Sequence, residues 1–313
     1  MHFQLCYITA DFDFGDVQIS VTDDVKKMSF LLRKRLPEDF PPPIEPGDGI
    51  VTVTCQRAVP DTLCADAVSG QPVTTATKEV NGAYHDMQDH MLRMLRLVRW
   101  RANSKARPNQ LRRLPDLKWS FDEVQWQSVH WMAVSFKLLF DSVPARWPPE
   151  AEEFVKKESS GGLDEPLGHE LLREAWANRE QSPRSSLVLA IAAAEVGFKQ
   201  FASRTSSDGG WVLSNNLLSA HLLKMLTKFP WPALKLQING KEPTIPGSIA
   251  SNLEEGVRLR NLIVHEGIAE MEGKRVNSVL ILVGDLLYFL DALRTHQSWP
   301  LNHMSHEAKK DFL

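Results

Sequence analysis

Leu187-Val-Leu-Ala-Ile-Ala-Ala-Ala-Glu195-Val-Gly-Phe198 is apolar on nearly every side of a helix, as the middle helix of a bundle has to be. Just ahead of it, Ser182 suits an N-cap and Pro183 the first helical position, and the pattern carries the helix to about Arg204. Working outward, Leu167 to Arg179 has the spacing of a short amphipathic helix. A third helix spans about Leu213 to Lys228 and stops before Pro230. A Pro-rich connection, 231–246, leads into a fourth from about Ser248 to His265, with Gly267 placed to cap its end. The last runs from Val276 to about His296. Together these predict an all-α five-helix bundle over 167–297, followed by a loose C-terminal tail, 298–313.

Upstream the apolar period changes from helical to alternating. Phe3 to Thr9, Asp16 to Thr22 and Ile50 to Cys55 read as strands, interrupted by Pro41-Pro42-Pro43 and the turn-like Pro46-Gly-Asp-Gly49. Residues 83–101 read as a helix, Leu117 to Asp122 alternates again, and 123–140 fits either strand or helix. The polar run Lys156-Lys-Glu-Ser-Ser-Gly-Gly-Leu-Asp-Glu-Pro166 has the composition of a linker. The expected fold class is therefore α+β: a strand-containing domain over 1–155, a linker at 156–166, then the bundle.

Composition narrows the function classes. The chain has 313 residues, enough for two cores, and its 43% hydrophobic and 24% charged content is that of a globular protein. No continuous apolar run reaches the roughly 20 residues of a membrane span, and Asp11 and Asp13 follow an N-terminus without a basic region. Three cysteines, Cys6, Cys55 and Cys64, with no C-x-x-C spacing argue against a disulfide framework or a zinc knuckle. The expectation is a cytoplasmic protein with no membrane partner. A net charge of −3 means that any contact with nucleic acid must rest on a local patch.

One stretch suggests chemistry. Arg258-Leu-Arg260-Asn261-Leu-Ile-Val-His265-Glu266-Gly267 ends the fourth helix. An imidazole can shuttle protons and a guanidinium can steady charge that builds on a phosphate, so Arg and His together can cleave RNA without a metal. On a straight helix, residues five apart differ by ~140° and ~7.5 Å along the axis. The length of the arginine side chain and the bend at Gly267 let the two reach a common point. Glu266 and the helix's last carbonyls place negative charge beside the His265 ring.

Residues 165–297 resemble the HEPN superfamily, on three features. These are the apolar helix carrying Glu195, the Arg260-Asn261-x-x-x-His265 ending of a later helix, and the long closing apolar helix. The nearest likeness is to the Apea-like group of bacterial proteins. The resemblance implies a metal-independent endoribonuclease of R-x(4–6)-H signature that needs no cofactor and acts as a homodimer bringing two signatures together. A toxin or anti-phage role goes with it. Arg260 matches the signature arginine, His265 its histidine and Asn261 the polar residue between them; Glu195, with Glu266, would support them from behind. The products would be a 2′,3′-cyclic phosphate and a 5′-hydroxyl. The alternative is a non-catalytic HEPN-like module for dimerisation or RNA binding, in which Arg260 pairs with Glu254 or Glu255 and His265 only caps its helix.

Outside the bundle, His90 to Pro115 contains no acidic residue. Arg93, Arg96, Arg99, Arg101, Arg112 and Arg113 accumulate there, either as an RNA path or as a basic face packed on an acidic neighbour. Trp119, Trp126 and Trp131 could stack bases or pack in a core. His85, His90, His296, His303 and His306 show no metal-ligand pattern.

Overall fold

Strand alternation in the first part of the chain becomes one sheet in the computed structural model. The structure describes residues 1–9, 12–13, 18–24, 26–34, 49–104, 116–130, 145–146, 151–160, 164–205, 222, 226, 245, 247–267 and 271–310. It separates two units, Met1–Asp164 and Glu165–Leu313. In the first unit β1 is His2–Thr9, β2 Phe12–Asp13, β3 Ile19–Asp23 and β4 Met28–Lys34. β5 is Gly49–Gln56, β6 Asp116–Ser120, β7 Gln127–Ser128 and β8 Ala145–Arg146. Six of these form an antiparallel sheet in the order β3-β4-β5-β1-β6-β7, and β2 pairs with β8 in parallel. Register puts Phe3 opposite Cys55 and Trp119, and Leu5 opposite Val53 and Leu117, all of them buried. Trp119 is thus a core residue, while Trp131 lies outside the described residues.

A short helix α1, Asp61–Val68, follows β5, and α2, Lys78–Arg101, packs on the sheet. Val80, Ala83, Met87, Met91, Met94 and Val98 supply its buried stripe at helical spacing. α3, Ala151–Ser160, lies against α2, with the Phe154 ring edge-on to Trp100 at 5.4 Å and the Arg101 guanidinium over it at 5.6 Å. The expected linker needs correction here. Residues 156–160 belong to α3: Phe154 and Val155 face inward while Lys156 and Lys157 face water, so the polar run is one side of an amphipathic helix. The unit boundary falls at Asp164.

His90 on α2 is 3% exposed, and burial pushes its pKa from the ordinary 6.5 down to about 4; Asp23 opposes that effect, while Lys26 and Arg93 add to it. The unfolded chain therefore binds a proton between these two values that the folded chain refuses. Stability should be fully present above pH 6.5 and fall as pH drops toward 4, by roughly 3 kcal/mol. Denaturant titrations from pH 7.5 to 4 on wild type and His90→Leu should show the two curves diverging in that window. Parallel curves would mean that His90 does not carry this loss.

In the second unit α4 is Leu167–Asn178, α5 Pro183–Thr205, α6 Gly247–Glu266 and α7 Gly273–Thr295. Helix α5 packs against α4, α6 and α7, with Leu187, Ala190, Ile191, Ala194 and Phe198 fully buried, as its apolar sequence demands. Helices α5 and α7 are each long and apolar enough to cross a membrane, but α7 is largely buried inside this unit. Gly197 has a packing reason: a Cβ there would stand 2.1 Å from Leu287 Cδ2 of α7. The expected third helix, 213–228, lies outside the described residues except for Leu222 and Leu226, both helical and buried.

The C-terminal segment is not a loose tail. A 3-10 turn at Trp299–His303 and a short helix α8, His306–Lys309, bury Trp299, Met304 and Ala308. The Asp285 carboxylate, whose pKa burial pushes up, accepts from the backbone N and the Oγ of Ser305 at 2.6 Å each. The His303 ring sits 4.9 Å from the Tyr288 ring, tilted by 43°. Apolar residues at irregular spacing hold this segment, and such spacing gives no periodic signal in the sequence.

Candidate functional site

Helix α6 ends where Gly267 takes φ +68°, a conformation that costs glycine little, and the chain turns away immediately after His265 and Glu266. Its inner face is fixed by Ile249, Leu253, Gly256 and Leu259, all buried. That anchoring leaves His265 and Glu266 exposed on the last turn, with Arg260 and Asn261 half-buried one turn back. Arg260 Nη1 donates to Asn261 Oδ1 at 3.0 Å, so Asn261 steadies the guanidinium rather than the imidazole. Among the described residues, no hydrogen bond joins His265 to either.

The glutamates expected to hold Arg260 do not. Glu255 takes Arg258 instead, accepting from Nε and Nη2 at 2.7 Å each, and that bond holds the Glu255 carboxyl below its ordinary range. Among the described residues Arg260 therefore keeps only its short-range partner Asn261. Glu195 is half-buried on α5, and among the described residues no ion pair links it to Lys199 or to the Arg260 and His265 pair. Its supporting role is not realised by direct contact.

A cleft of about 740 Å³ lies along the second half of α6, and neither Arg260 nor His265 lines it. It is walled by the start of α5 (Ser182, Arg184), by α6 (Arg258, Leu262) and by Glu272 and Arg275 at the start of α7. Three of its walls thus carry guanidinium groups, and Leu262 of its lining sits between Arg260 and His265 in sequence. The N-terminus of α5, which starts at Pro183, adds positive potential.

The basic stretch of the first unit is only partly a surface. Arg99 and Arg101 are 1% and 6% exposed, so neither can meet an RNA backbone. The last turn of α2 is enclosed on all sides, Leu97 to Ala102 all being buried, which a spacing argument from the arginines alone does not reveal. Arg93 pairs through Nε with Asp164 Oδ1 at 2.6 Å, and Arg96 is half-buried. Arg112 and Arg113 lie outside the described residues.

Three buried polar pairs escaped the sequence reading, because their partners are remote or their spacing is commonplace. His169 Nε2 meets Asp291 Oδ2 at 2.7 Å across 122 positions, Asp285 holds Ser305, and Arg173 forms a bidentate pair with Glu165. Compared with known proteins, the chain matches no family model, no curated protein and no solved structure.

Proposed function

We propose that the chain is a metal-independent endoribonuclease of the HEPN type that works as a homodimer in the cytoplasm, in a toxin or anti-phage role. The observation that carries this reading is the last two turns of α6, where His265 is exposed and Arg260, braced by Asn261, is half-buried one turn back, on the same helix whose Arg258 and Leu262 help line a cleft with three arginines in its walls. RNA supplies the anion that such a cleft attracts. His265 takes the proton of a ribose 2′-OH as its oxygen attacks phosphorus. Arg260 neutralises the crowded phosphorane. The P–O5′ bond then breaks, and the 5′-oxygen receives a proton from an imidazolium. The balance is one 2′,3′-cyclic phosphate and one 5′-hydroxyl, with no co-reactant. DNA is spared for want of the 2′-OH.

The reaction needs both a base and an acid, which one histidine per chain cannot supply at once; a second copy brings the other. Val264, an apolar residue next to His265, is 50% exposed on α6, which supports dimerisation across this helix. Sedimentation at micromolar concentration should give a dimer for wild type and a monomer for Val264→Asp. A fully active monomer would remove the two-copy mechanism.

The experiment that tests the reading is incubation of the purified protein with RNA in excess EDTA, followed by analysis of the ends. Cleavage leaving 2′,3′-cyclic phosphate and 5′-hydroxyl termini is expected. Inertness toward RNA, or ends of the 3′-hydroxyl type, would overturn it.

A further inference from the structure

The first unit holds a cleft of about 430 Å³ that the ribonuclease reading leaves unused. One wall is the stripe Asp86, Asp89, His90 and Arg93 of α2, spaced to share a helix face. The opposite wall is the start of β4 with its preceding turn, Lys26 and Met28, and the end of β5, Cys55 to Arg57. The volume falls within the range of small-molecule sites.

His90 is what sets this cleft apart. It is 97% removed from solvent, yet among the described residues neither ring nitrogen has a hydrogen-bond partner. A neutral imidazole has one N–H to donate and one lone pair to receive. Leaving both buried and unmet is unfavourable, and a bound molecule with a donor and an acceptor would satisfy them. Burial keeps the ring neutral at pH 7, so it offers hydrogen bonds and not charge.

Charge comes from the rim. Of its cations, Arg57 is paired with Asp86 and Arg93 with Asp164, each through one guanidinium nitrogen, which leaves Lys26 to set the local positive charge. Among the described residues no carboxylate is ion-paired with the exposed Lys26 side chain, so its ammonium is available to an anion. Cys55 also lines the cleft, but burial pushes its thiol up to about 11; it is a protonated floor group beside Met28, not a nucleophile.

We propose that this cleft binds a nucleoside monophosphate, with its phosphate at Lys26 and the two arginines and the edge of its base on His90. The neutral ring matches a base edge, which presents a donor and an acceptor side by side. The cations match the phosphate. The first unit is then a ligand-sensing domain.

Isothermal titration of the full chain tests this with the four ribonucleoside 5′-monophosphates and with inorganic phosphate. At least one nucleotide should bind below millimolar, and phosphate alone at least tenfold more weakly. His90→Leu should raise Kd at least tenfold, and His90→Gln, which restores a donor and an acceptor, should recover most of that loss. Lys26→Ala, at the exposed rim where folding is not at stake, should also weaken binding. The assignment is overturned if no nucleotide binds at millimolar concentration, if phosphate binds as tightly as the nucleotides, or if both His90→Leu and Lys26→Ala bind like wild type. Binding that vanishes in Arg260→Ala belongs to the RNA site and overturns it equally.

Discussion

Replacing His265 by alanine is expected to slow RNA cleavage by roughly 10²–10⁴-fold, the usual worth of a positioned general acid or base. The same change should leave unfolding within about 0.5 kcal/mol of wild type, because His265 is exposed on the last turn of α6 and buries little. Arg260→Ala should cost roughly 10²–10³-fold through the lost guanidinium at the phosphate. Arg260→Lys should recover only part of it, since an ammonium cannot match the bidentate fork. Asn261→Ala should fall between wild type and Arg260→Ala: its Oδ1 braces the guanidinium at 3.0 Å without itself supplying charge. Single-turnover cleavage of an end-labelled RNA in EDTA, with denaturant unfolding run in parallel, separates chemistry from stability. Undiminished cleavage by His265→Ala would place the active site elsewhere, and a parallel loss of stability would make the residue structural.

The α+β class was legible because each part of the chain carries its own period. Alternation at Phe3–Thr9 and Ile50–Cys55 and the all-round apolarity of Leu187–Phe198 are backbone rules written in side chains. The cap at Gly267 was legible for a similar reason, since its positive φ is a local requirement. The polar run at 156–166 misled because composition does not separate the wet face of a helix from a linker. Arg99 and Arg101 misled because their burial is decided by α3 and the sheet, not by their own spacing. What makes the α6 end a candidate site is chemistry at a helix terminus and is readable. The cleft along α6 is assembled from Arg184, Arg258 and Arg275, which only folding brings together. His90 shows the limit most plainly. A lone histidine in a helix carries no signal until the structure shows that its ring is buried and that both nitrogens lack partners among the described residues.

Removing Glu165 should destabilise the helical unit by about 3–5 kcal/mol, the usual cost of stranding one member of a buried ion pair. Its carboxylate is 0% exposed and accepts from both terminal nitrogens of Arg173, itself 3% exposed. Burial pulls the guanidinium's pKa down, but the Glu165 charge and hydrogen bonds outweigh that and keep it charged. Among the described residues Arg173 Nε already lacks a partner, so Glu165→Ala would leave all the donors of that head unmet by the carboxylate at once. The pair also pins the segment ahead of Pro166 to the second turn of α4, which sets where the helix begins. Guanidinium unfolding, followed by the fluorescence of buried Trp176 on the same helix, reads the loss directly. Glu165→Leu combined with Arg173→Met removes both charges and keeps volume, and it should recover most of the stability. A cost below about 1 kcal/mol for Glu165→Ala, or a double variant as unstable as the single, would mean that packing and not the ion pair holds this end of the bundle.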